Sequence, residues 1–245
     1  MKKVFSLVLI IVCFLFPYSA INGSWKFELA TGLTLLLSAW GWGRQWIDQT
    51  GLRISTRELM ECFLLSLFVY QFGSLAIPFL AAKKGIAFIL FPDWGWRVAP
   101  VFQSFNEEIV LRALLLGCLV KFFKKWQYAS VFAAFGFTFL HWVLYRFNFI
   151  HELVELVPFA LINLTLFGFI CNDLFFRSGH IGYGAALHIG WNLTRFGGEF
   201  RIDDQRILEG HTFNFIEASP LLTCSLLALY LILRYWIHFK NVKCL

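Results

Sequence analysis

Apolar residues come in long runs along this chain: 4–16, 25–42, 59–81, 98–122, 128–145, 153–176, 181–195 and 220–239. A helix that crosses hydrocarbon needs about 20 predominantly apolar residues. The runs therefore predict an all-α, polytopic integral membrane protein of about eight transmembrane helices, packed as one bundle and one domain over residues 1–245. Three stretches interrupt the pattern. Residues 44–58 are polar and basic and read as a surface loop with an amphipathic turn. Residues 83–96 are rich in Gly, Pro and Trp and read as a short re-entrant or interfacial piece. Residues 197–217 hold most of the remaining Asp and Glu and read as a polar loop.

Composition supports a membrane rather than a soluble chain. Hydrophobic residues make up 59% and charged residues 15%, against about 45–50% and 25% in soluble domains. Net charge is +6, which in a membrane protein is first a topology signal, because Lys and Arg collect on the cytoplasmic side. No basic stripe on a soluble face suggests nucleic acid. Eight crossings put both termini on one side. If that side is cytoplasmic it gathers Lys2, Lys3, Arg44, Arg53, Arg57, Lys121, Lys124, Lys125, Arg177, Lys240 and Lys243, while the opposite side keeps Lys26, Lys83, Lys84, Arg97, Arg146, Arg195, Arg201 and Arg206, a modest bias that Lys83 and Lys84 oppose. The first run could be a secretory signal peptide, but a cut after Ala20 would put bulky Tyr18 where a small residue is wanted, so a retained helix is the simpler reading. The six cysteines are scattered with no Cys-x-x-Cys, so neither disulfides nor structural zinc is expected.

The fourth run carries the chemistry. Asn106-Glu107-Glu108 and Arg112 lie within it, and a charge at a helix centre costs about 2.5–3.5 kcal/mol on insertion scales. Such charges pair, face the protein interior and do work. Positions four apart on a helix lie about 40° apart around the axis, so Glu108 and Arg112 share a face and Glu107 points elsewhere. One carboxylate is neutralised and the other is left to accept a proton from water. The fifth run places Phe137 and His141 on one face, and the short seventh run does the same with His188 and Asn192. In a bundle these faces can meet at one polar pocket. The inventory suits peptide hydrolysis: Glu107 with His141 to hold and deprotonate a water, His188 and Asn192 to donate to the developing oxyanion, a term worth about 2.7–4 kcal/mol per donor.

Glu-Glu-x-x-x-Arg, Phe-x-x-x-His and His-x-x-x-Asn, in that order, resemble the motifs of the CPBP family, the CAAX prenyl proteases and bacteriocin-processing enzymes. The resemblance covers about residues 98–196 by motif and the whole chain by hydrophobic layout. It implies a metal-independent intramembrane glutamic endopeptidase without a cofactor. Glu107 and His141 would activate water, His188 and Asn192 would stabilise the oxyanion, and Glu108 and Arg112, with Phe137, would hold the site together. Where relatives often carry Phe-Arg-Gly, this chain has Leu111-Arg112-Ala113, which bears on subfamily and substrate more than on chemistry. The expected partners are a membrane-associated peptide or protein tail and the lipid bilayer. A leader peptide or C-terminal sorting anchor is preferred as substrate. The Lys-Lys start, short loops and small size look bacterial and place the chain in a cytoplasmic (inner) membrane.

Two other readings use the same residues. A divalent metal held by Glu107, Glu108, His141 and His188 would make a metal-dependent membrane protease. A non-catalytic immunity or scaffold protein would use the pocket for a partner. The remaining motifs are weaker. His151-Glu152 begins like a zincin motif, but Glu155 stands where the second His is required. His180, His211 and His238 read as peripheral, Asp203-Asp204 as a solvated loop, and Gly179, Gly182 and Gly184 as sites of close packing or a break in the backbone.

Overall fold

The computed structural model describes residues 2–15, 25–43, 56–83, 85–90, 98–145, 157–195, 198–202, 205–206 and 218–236. The helices fall where the apolar runs do: α1 (Lys2–Leu15), α2 (Trp25–Trp42), α3 (Thr56–Ser74), α4 (Ala76–Ala82), α5 (Val98–Glu108), α6 (Gly117–Phe123), α7 (Trp126–Tyr145), α8 (Val157–Ser178), α9 (Gly182–Arg195) and α10 (Pro220–Trp236). Proline sits in the first turn of α4, α5, α8 and α10, where its fixed φ suits the helix and its missing N–H is not needed. Ser219 caps α10 by accepting the Leu222 N–H at 3.4 Å.

The expected third span is broken at Leu75 into α3 and α4. The expected fourth span continues from α5 through Ile109–Leu116 into α6, but Ile109–Leu116 is a π-helix. Its bonds run i→i+5 and the turn is wider, a device found often at functional sites. A second departure from the all-helical expectation is a small sheet in the order β1-β2-β3, with β1 (Ile86–Leu90), β2 (Gly198–Ile202) and β3 (Gln205–Arg206). It occupies parts of the stretches read as an interfacial piece and a polar loop. Strands β1 and β2 pair antiparallel from Ile86 opposite Ile202 to Leu90 opposite Gly198. The sheet thereby ties the approach to α5 to the exit from α9, and the five-residue run Ile86–Leu90 suits a short strand better than a helix.

Helix α9 packs on α3 and α5, α7 on α8, and α10 on α3 and α8, while α1 and α2 pair and α2 leans on α5. Tyr70, Leu111, Phe137, Leu164, Phe167, Leu187, Trp191 and Leu222 make up much of the largest cluster of buried apolar side chains. Small residues let the helices approach closely. A Cβ on Gly190 would lie 2.8 Å from the Phe63 carbonyl oxygen and 2.9 Å from Ser66 Cβ, so glycine is required where α9 crosses α3.

Beside this apolar core, several polar side chains are buried and many large apolar ones are exposed. Ser6, Thr34, Ser38, Ser104 and Ser130 are fully buried, while Phe68, Phe79, Phe122, Phe132, Phe135 and Phe139 are exposed. Large apolar surfaces of this kind mark contact with lipid or protein. By length and composition, one helix among the described residues, Val157–Ser178, is long and apolar enough to cross a membrane; Leu29–Gly41, Leu59–Gly73 and Pro220–Tyr235 are shorter apolar helices. The architecture is consistent with a membrane location.

Candidate active site

Helices α5, α7 and α9 bring together the side chains that the motifs singled out. Glu107, Glu108, Arg112, Phe137, His141, His188 and Asn192 are all buried. Glu107 and Glu108 stand at the C-terminal end of α5. Arg112 lies in the π-helical segment, yet the i, i+4 ion pair forms, with Arg112 Nη1 3.1 Å from Glu108 Oε1. The contact is an ion pair by distance and not an aligned hydrogen bond, because among the described residues no guanidinium nitrogen of Arg112 has a hydrogen-bond partner. The guanidinium also lies over the Phe137 ring, 4.6 Å from its centroid, a cation–π contact that strengthens when desolvated. Phe137 in turn stacks obliquely on His141 at 4.1 Å and meets His188 edge-on at 5.8 Å. It is the spacer around which both imidazoles and the guanidinium are arranged.

Each imidazole is oriented from its Nδ1 side. His141 Nδ1 is 2.9 Å from the Phe137 carbonyl oxygen, and a carbonyl only accepts, so Nδ1 carries the proton. His188 Nδ1 is 2.9 Å from Glu108 Oε1, and the carboxylate imposes the same assignment. Both rings then turn Nε2 toward Glu107 Oε2, at 3.7 Å from His141 and 3.6 Å from His188. These gaps exceed a direct hydrogen bond and suit a bridging group.

Glu108 is seated by glycine. A Cβ on Gly184 would lie 2.8 Å from Glu108 Oε2, so the carboxylate occupies the space a side chain on α9 would need. Of the glycines expected to permit close packing or a break, Gly184 does the former, and Gly179 takes φ +76° just after α8. Ala113, where relatives often have Gly, packs its methyl against the cluster of Ile109, Leu116, Ala129 and Ala133.

Two residues that the motifs did not name belong to this site. Gln103 Nε2 donates to Glu107 Oε1 at 2.9 Å. Asn192 Nδ2 donates to Ser104 Oγ at 2.8 Å. Gln103 precedes Glu107, and Ser104 precedes Glu108, by four residues, a helical spacing visible in the sequence.

Of the other candidates, His180 meets the Tyr183 ring at 4.7 Å near the α8–α9 turn. His151, Glu152, Glu155, Asp203, Asp204, His211 and His238 lie outside the described residues. Among the described residues no group of three or more His, Cys, Asp or Glu side chains is placed to hold a metal ion.

A bundle with an apolar exterior and a buried carboxylate–imidazole cluster fits the class of membrane hydrolases. The family comparison gives the particular kind: residues 90–194 match the Rce1-like type II CAAX prenyl endopeptidases. That segment contains all three motifs and matches the CPBP/CAAX protease family over about two fifths of the chain. No curated protein and no solved structure matches the chain.

Proposed function

We propose that this chain is an intramembrane endopeptidase that hydrolyses a peptide bond of a membrane-associated peptide or protein tail with a water activated by Glu107 and His141. The observation that carries the reading is the convergence of Glu107 Oε2 with the Nε2 atoms of His141 and His188. In the tautomer assigned above for His141, its Nε2 and Glu107 Oε2 are both acceptors, so this pair calls for a proton donor between them. A water between Glu107 and His141 supplies two O–H groups. Glu107 takes one proton as the oxygen attacks the carbonyl carbon, and the C–N bond breaks as that proton passes to the leaving amine.

The oxygen of the tetrahedral intermediate is then met by His188 and Asn192. To donate from Nε2, His188 must carry a proton there as well as on Nδ1, and the Glu108 carboxylate beside Nδ1 balances that charge. Asn192 retains a second amide N–H beyond the one given to Ser104. Arg112 keeps Glu108 in place. The roles of these residues, the single domain over residues 1–245, the eight crossings, the cytoplasmic termini and a bacterial inner membrane are parts of the same proposal. The apolar helix exteriors and the charge distribution support it. A leader peptide or C-terminal sorting anchor is the preferred substrate class.

The test is cleavage of fluorogenic peptides by the purified full-length protein in detergent. The peptides are a farnesylated CAAX-box peptide, a leader peptide and a sorting-anchor peptide. Activity lost in Glu107→Gln and unaffected by strong chelator supports the proposal. Activity that falls with chelator and returns with a stoichiometric divalent ion supports a metal-dependent protease instead. Absence of hydrolysis, with full biological activity in a triple variant of Glu107, His141 and His188, supports a scaffold.

A further inference from the structure

We infer that Gln103 and Ser104, consecutive residues one helical turn before the Glu-Glu pair, are positioning residues for the two halves of this site: Gln103 for the general base, Ser104 for the oxyanion amide. The inference rests on the hydrolytic reading above and adds to it two residues outside the three motifs.

The argument starts from soft torsions. The terminal torsions of Glu and Asn side chains are broad and roughly two-fold. Burial alone therefore does not decide which oxygen of Glu107 faces the histidines, or which end of the Asn192 amide faces a substrate. Each group has a hydrogen bond with a side chain of α5 that holds its torsion. Gln103, 7% exposed, donates from Nε2 to Glu107 Oε1. That bond commits Oε1 and leaves Oε2 as the oxygen at 3.7 Å from His141 Nε2 and 3.6 Å from His188 Nε2. Ser104, fully buried, accepts from Asn192 Nδ2. That bond settles which face of the amide carries the N–H groups. The spacing makes the arrangement economical: Gln103 is i−4 to Glu107, and Ser104, 100° around the helix, faces α9, against which α5 packs. Gln103 also supplies a donor without a charge. A cation here would neutralise the base, and an acceptor would repel it.

The experiment uses the purified full-length protein in detergent. Its probe is the farnesylated CAAX-box peptide or, if the wild type does not cut that, a synthetic peptide carrying a terminus that cells lose with Glu107→Ala. Gln103→Met keeps the shape and removes the donor. Gln103→Asn keeps an amide one methylene too short. Both should lower kcat by about 10–100-fold, the range expected for a hydrogen bond to a charged group, with KM within about twofold. Ser104→Ala should cost about fivefold in kcat, Ser104→Thr should restore it, and Ser104→Ala should have no further effect in an Asn192→Ala background. Folding is followed by thermal unfolding and monodispersity. Gln103→Met retaining more than half of wild-type kcat overturns the role of Gln103. Ser104→Ala acting equally with and without Asn192 overturns that of Ser104. If neither Gln103 variant folds, Gln103 is a structural residue and its part of the inference falls. Glu107→Gln is run alongside: activity there defeats the hydrolytic reading itself, whereas an inactive Glu107→Gln beside an active Gln103→Met defeats only the positioning role.

Discussion

Glu108 Oε1 is shared between His188 Nδ1 at 2.9 Å and Arg112 Nη1 at 3.1 Å. One carboxylate oxygen thus joins a histidine on α9, 80 residues away in the chain, to an arginine one turn along its own helix. All three side chains are buried, so the pair is sustained only while both charges are present. Breaking a buried ion pair by removing one partner costs about 3–5 kcal/mol. Arg112→Ala should lower the unfolding free energy by that amount in a reversible denaturant titration in detergent, and Arg112→Leu should recover little, since Glu108 stays charged. A loss under 1 kcal/mol for both would show that Glu108 draws its compensation from elsewhere.

Gly184 tests the same carboxylate from the other side. Its missing Cβ leaves the space in which Glu108 Oε2 sits. Gly184→Ala should displace Glu108 from His188 and lower kcat by about tenfold or more, since small misplacements of a catalytic group cost up to about 10²-fold. Gly136, with nothing within 4 Å of an added Cβ, is the control: Gly136→Ala should leave the rate unchanged.

Asn192 tests the oxyanion assignment. Asn192→Ala should lower kcat by about 10²–10³-fold, the range for losing one oxyanion donor, with KM little altered. Equal changes in kcat and KM that cancel in kcat/KM, or none at all, would move Asn192 from chemistry to packing.

The exposed aromatic faces test the membrane setting. Phe132 and Phe135 on α7 are 58% and 60% exposed. In hydrocarbon, an arginine at Phe135 costs about 2.5–3.5 kcal/mol, so Phe135→Arg should lower the fraction of protein recovered in carbonate-washed membranes. Unchanged recovery, with the variant folded, would place that face in water or against protein.

The helices are readable because long apolar runs leave few alternatives: α2 begins and ends at the expected residues, and α7, α8 and α9 begin within four residues of expectation and end within two. The Glu108–Arg112 and Phe137–His141 relationships were readable for the same reason, since i, i+4 spacing fixes a face without any knowledge of tertiary structure. The π-helical turn was not readable. It depends on hydrogen-bond register, and the residues Ile109–Leu116 are as compatible with α as with π geometry. The β1–β2 pairing joins segments about 110 positions apart, and no local pattern announces a long-range partner. Gln103 and Ser104 carry no signal of their own in the sequence, because a single amide or hydroxyl in an apolar helix is ordinarily a packing group. Only the carboxylate of Glu107 and the amide of Asn192, set beside them in space, give them a task.

The most direct test of the central claim is a mass-spectrometric comparison of peptide termini in cells carrying the wild-type chain and cells carrying Glu107→Ala at equal abundance in the membrane. Glu107 as the base for water predicts that a defined set of termini on membrane-associated peptides disappears in the variant and returns with the wild-type gene. An identical set of termini in both strains would contradict it.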